Sequence, residues 1–80
     1  MPVVFRDRGC RFHFYSDEGR PLEPAHIHVF KDDADAKFWL FPSVSVAYNR
    51  GFDARVLARL LETVEDHRDE IERAWDDHFR

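Results

Sequence analysis

Eighty residues are enough for one small domain with one core, because chains divide into several domains only at greater length. Hydrophobic residues make up 44% and charged residues 35%, so the core has to be built from a few large side chains: eight Phe, two Trp and two Tyr. That aromatic content argues against intrinsic disorder, and a net charge of −4 argues against a protein that coats nucleic acid by bulk charge.

A single cysteine, Cys10, cannot form an internal disulfide and has no Cys-x-x-Cys companion, which fits a reducing, cytoplasmic setting. Its expected role is that of a small core residue. No apolar run reaches the length of a membrane span, and the first residues lack the pattern of a signal peptide. Neither membrane association nor secretion is therefore expected. Charge is uneven along the chain: residues 1–52 carry seven Lys/Arg and seven Asp/Glu, residues 53–80 five and nine.

Alternation in the first half predicts strands. Val3–Arg6 is the first, followed by a turn at Arg8-Gly9. Cys10–Tyr15 is the second, with Phe12 and Phe14 on one face and Arg11, His13 and Tyr15 on the other. Turn formers from Ser16 to Pro21 open a loop that runs to Pro24. Ala25–Lys31 separates Ile27 and Val29 from His26, His28 and Phe30, and Ala36–Phe41 separates Phe38 and Leu40 from Lys37, Trp39 and Phe41. Val44–Tyr48 is a short fifth strand, which ends at Asn49-Arg50-Gly51.

From Asp53, a good N-cap, the pattern becomes helical. Val56, Leu57, Leu60, Leu61, Val64, Ile71, Trp75 and Phe79 form one stripe, which thins over Glu65–Glu70 where His67 and Arg68 occupy it. About 26 residues would span ~39 Å, roughly twice a strand. Either the helix breaks near His67, or its Trp75/Phe79 end projects and seeks a partner. His67 and His78 are read as surface positions. The expected fold is α+β: a single domain over residues 1–80, with a four- or five-stranded antiparallel sheet (1–49) and one long C-terminal helix (53–79) on its apolar face. That face comprises Phe5, Phe12, Phe14, Ile27, Val29, Phe38, Leu40, Val44 and Val46.

The other face is basic and aromatic: Arg11, His13, Tyr15, His26, His28, Phe30, Lys37, Trp39 and Phe41. If Tyr15 pairs opposite His26, His13 lies opposite His28. Several chemistries compete for such a patch. Three imidazoles suit a divalent ion, although no carboxylate follows His28 at cupin spacing. His26 and His28 suit acid–base work with Lys37 or Arg11 on a phosphoryl oxyanion, as in a metal-independent ribonuclease, although the third alternating position of a histidine triad is Phe30. Tyr15, Trp39 and Phe41 suit stacking of RNA bases. The plainest use is association with another protein or a second copy of the chain, without cofactor, metal or catalysis.

Arg11-Phe12, Phe14-Tyr15-Ser16, Glu23-Pro24-Ala25-His26-Ile27-His28-Val29, Ala36-Lys37-Phe38-Trp39-Leu40, Val46–Phe52 and Ala74-Trp75 with Phe79 together resemble the short bacterial domain-of-unknown-function-4160 family. His26, His28, Lys37, Trp39, Asn49 and Gly51 match its pattern. His13 stands where relatives are expected to have an aromatic, and Asp53 where Ser is frequent. The resemblance implies a chain of about this length with no established activity. It also implies a partner, a small protein from a neighbouring gene, in a toxin–antitoxin-like pair. Binding through Arg11, His13, Tyr15, Phe30, Trp39, Phe41, Asn49, Trp75 and Phe79 is the leading expectation. Catalysis by His26, His28 and Lys37 is the alternative.

Overall fold

A computed structural model describes residues 3–16 and 23–79. Most of the predicted loop before Pro24 lies outside them. Five strands, β1 (Val3–Asp7), β2 (Cys10–His13), β3 (His26–Lys31), β4 (Ala34–Trp39) and β5 (Ser45–Arg50), form an antiparallel sheet in chain order. Turn chemistry sets two of the hairpins. Arg8 and Gly9 both take positive φ, 51° and 78°, as a two-residue hairpin loop requires, and Asp32 (φ 54°) serves the β3–β4 turn. Between β4 and β5 the chain passes through a cis Phe41–Pro42 bond.

Cross-strand neighbours Phe12, Val29 and Ala36, with Ile27 beside Phe38, make the floor of the core. Leu60, Val64, Ile71 and Trp75 come down on them from the helices. Cys10 is buried here as a free thiol.

Two irregularities alter the predicted facing. Between Val3 and Phe5 the register shifts, so Val3 pairs with His13 while Phe5 pairs with Phe12. Between Lys37 and Phe38 a second shift leaves Ala47 extra: Phe38 pairs with Val46, Lys37 with Tyr48. A bulge of this kind inserts one residue and swaps the faces beyond it. Tyr48 thus joins the histidine face. Val46, expected in the core, is 39% exposed on the edge strand.

The single long helix of the sequence reading is two: α1 (Ala54–Asp66) and α2 (Arg68–Phe79), broken at His67. Asp53 caps α1, its Oδ1 accepting from the Val56 N–H at 2.8 Å. At the break His67 adopts φ −102° and ψ 11°, yet Ile71 N–H still reaches the His67 carbonyl at 2.9 Å. Its ring stacks on Phe5 (centroids 4.2 Å), which stacks on Phe12 (4.3 Å), while Nδ1 meets the Glu70 carboxylate at 2.8 Å with the side chain 39% exposed, so His67 is a half-buried residue at the break. The bend also keeps the second half of the stripe on the sheet. Trp75 is 4% exposed, in contact with Phe14 (5.3 Å) and Phe79 (4.2 Å); the apolar helix end does not project. No helix among the described residues is long and apolar enough to cross a membrane.

Candidate functional site

Antiparallel pairing sets the polar face out in rows that cross the strands. One row runs Arg11, Phe30, Asp35, Arg50; the next Val3, His13, His28, Lys37, Tyr48; a third His26, Trp39, Ser45. The expected His13–His28 pairing is therefore present, and their rings stack with centroids 5.7 Å apart.

Each of three cations on this face lies over a ring. The Arg11 guanidinium is 5.0 Å from the Phe30 centroid, Lys37 Nζ 4.3 Å from Trp39, and the Arg50 guanidinium 4.7 Å from Tyr48. Contacts of this type draw a cation to the negative face of the ring. Strand geometry produces them: Lys37 and Trp39 are two apart on β4, while Arg50 and Tyr48 are two apart on β5. Lys37 also meets the Glu23 carboxylate at 3.2 Å, with its side chain only 14% exposed.

The three histidines are buried, at 1% (His13), 0% (His26) and 5% (His28). His26 Nδ1 lies 2.8 Å from the Pro24 carbonyl; a carbonyl only accepts, so Nδ1 carries the proton. The His26 ring touches His28 edge-on (5.1 Å), Trp39 (5.5 Å) and Trp75 (4.8 Å). His28 Nδ1 shares a hydrogen bond with the Tyr48 hydroxyl at 3.3 Å. Burial, and after it the Asp35 carboxylate, pushes the Tyr48 phenol up to about 12. The 40%-exposed Tyr15 ring stands edge-on to His28 (4.6 Å) and His13 (5.0 Å).

The His26 and His28 rings meet edge-on with centroids 5.1 Å apart, and both side chains are buried. Among the described residues no group of three His, Cys, Asp or Glu side chains is arranged to hold a metal ion.

Four of the sequence-proposed residues are not part of this face. Phe41, 43% exposed, lies outside β4 and stacks under the Arg68 guanidinium of α2 at 4.4 Å. Asn49 spends its amide on the β5–α1 turn: Nδ2 donates to the Phe52 carbonyl (2.9 Å) and Oδ1 accepts from the Phe52 N–H (3.2 Å). Trp75 and Phe79 belong to the core, although Trp75 reaches His26 at its edge. Conversely, Tyr48 and Arg50 were missed. Strict alternation from Val46 places Tyr48 in the core, and only the extra residue at Ala47 reverses it. Arg50 follows from the same shift and had no signal of its own.

No curated protein and no solved structure matches the chain. A family model does, over residues 9–76, from the β1–β2 turn to the last turns of α2. With that span matched, the chain belongs to the family described as Domain of unknown function (DUF4160).

Proposed function

We propose that this chain is a binding module, one component of a two-protein, toxin–antitoxin-like pair, and that its sheet face docks an acidic surface of the partner protein. The three cation-over-ring pairs carry this reading. Aromatic and Arg-rich patches are what protein interfaces favour, and a cation already held by a ring loses little freedom on binding. Acidic residues concentrate in the helical part of the chain; on the sheet face Asp35 stands opposite Arg50 and Glu23 pairs with Lys37, so a negative partner displaces these carboxylates as it meets the three cations. The buried histidines then serve as a rigid, hydrogen-bonded base under that surface.

Co-expression with the small protein of the neighbouring gene, followed by calorimetry, tests the reading. A complex should form and weaken with salt, and R11A, K37A and R50A should each weaken it by about tenfold. A folded triple variant that binds as tightly as the parent overturns the proposal. So does a chain that ignores this partner. The alternative, a metal-independent ribonuclease built on His26, His28 and Lys37, predicts cleavage of single-stranded RNA that H26A and H28A abolish. That result would replace the binding reading.

A further inference from the structure

α1 carries its charges in an order that a lone helix disfavours. Arg55 and Arg59 stand in its first half, Glu62 and Asp66 in its second, and all four are exposed. No acidic residue lies in the first turn, after the Asp53 cap, and no basic residue in the last. A helix has its positive pole at the N-terminus and its negative pole at the C-terminus, so each half sits at the pole of its own sign. The order also sets like charges one turn apart, Arg55 with Arg59 and Glu62 with Asp66. Pairs of one sign at that spacing repel.

The rest of the chain does little to relieve this. The ion pairs among the described residues are Lys37–Glu23 and His67–Glu70, and none of the four takes part. Even Arg59 and Glu62, of opposite sign and one turn apart, are not joined. Successive members of the set are three or four residues apart, so they line up along one stripe of the helix, on the side away from the buried Leu60 and Val64.

Along that stripe the signs run plus, plus, minus, minus. An acidic partner helix matches one half of it and a basic one the other. An antiparallel helix with the same order matches all of it, and α1 of a second copy is such a helix. With the two-fold axis level with the Leu60–Leu61 peptide, Arg55 meets Asp66 of the second copy and Arg59 meets its Glu62, and the reverse pairs form in the same register. Each pole of one helix then lies beside the opposite pole of the other. Ala58, exposed next to the stripe, puts no bulky side chain between them. Exposed ion pairs are weak one by one and screened by salt, so the contact is one of low affinity.

We propose that two copies of this chain associate through α1, antiparallel, with its charged stripe as the self-complementary surface. The helices pack on the apolar side of the sheet, so the cation-bearing face stays open and neither proposal depends on the other. Sedimentation velocity on the full chain, from about 20 µM to about 2 mM, tests it. A monomer–dimer equilibrium with Kd of about 0.1–1 mM is expected in about 50 mM salt, weakening about tenfold or more in about 500 mM. R55E/R59E places acid at the positive pole and E62K/D66K places base at the negative pole, so both variants should melt no lower than the parent. Each alone should be monomeric, because its stripe has a single sign. An equal mixture of the two should form a one-to-one heterodimer at least as tight as the parent dimer. A parent that stays monomeric up to about 2 mM in low salt overturns the proposal. So does a single-sign variant that dimerises as the parent does, or a mixture that forms no heterodimer.

Discussion

The hydroxyl of Tyr48 on the edge strand reaches over β4 to Nδ1 of His28, 3.3 Å away. The bond ties β3 to β5, strands that are not neighbours, and only the bulge at Ala47 puts Tyr48 on the side where it can form. A polar group buried with its partner removed costs about 1–3 kcal/mol. Tyr48→Phe should therefore lower unfolding free energy by about that amount in urea titrations, with the m-value unchanged.

The same phenol makes the fold sensitive to alkali. Its pKa is about 12 in the folded chain against an ordinary 10.0, so between those values the folded state holds a proton that the unfolded state has lost. Stability is then fully present below pH 10 and falls as pH rises toward 12. Ultraviolet titration should show a late tyrosinate step near pH 12 that Tyr48→Phe removes. The alkaline loss of stability should become shallower in that variant.

Trp75 separates a folded-back helix from a projecting one. Packed against Phe14, Phe79 and His26 and 4% exposed, it should cost about 3–5 kcal/mol when replaced by Ala. A projecting tryptophan would cost little. Thermal unfolding of Trp75→Ala decides, and the milder Trp75→Phe should lie between it and the parent.

Asn49 and Gly51 shape the entry to α1. Asn49→Ala removes two hydrogen bonds to Phe52 and should destabilise by about 1–2 kcal/mol while leaving partner affinity unchanged. Gly51→Ala combines a positive φ with a Cβ crowded against Ala34, a loss of about 1–3 kcal/mol. Calorimetric melting measures both. A loss of partner affinity without destabilisation in Asn49→Ala would return that residue to the binding surface.

Cys10 is buried and its thiol is held above its ordinary pKa, both of which starve it of reactive thiolate. Iodoacetamide at pH 8 should label the native chain at least about tenfold more slowly than the urea-unfolded chain. Rapid native labelling, followed by mass spectrometry, would contradict the burial of Cys10.

Local signals made much of this molecule legible from its sequence alone. Period-two apolar residues marked the strands and the faces of Phe12, Ile27, Val29 and Phe38; Arg8-Gly9 marked a hairpin; Asp53 and the stripe after it marked the start of α1. These are properties of a few adjacent residues, set by backbone sterics and the pitch of each element. The His13–His28 pairing followed from the sequence only on the condition that Tyr15 faces His26, because the long connection between the two strands does not set a register.

What only the tertiary structure decided depends on residues far apart in the chain. The extra residue at Ala47 turned Tyr48 and Arg50 toward the histidines, because pairing with β4 and not local pattern determines which residue is left out. The break at His67 arose where the helical stripe had to bend to keep Trp75 on the sheet, with Phe5 filling the corner. The meeting of the β1–β2 turn, the β3–β4 turn and the Gly51–Asp53 connector beside α1 has no sequence motif at all: segments distant in sequence come together there only after the sheet has closed against α1.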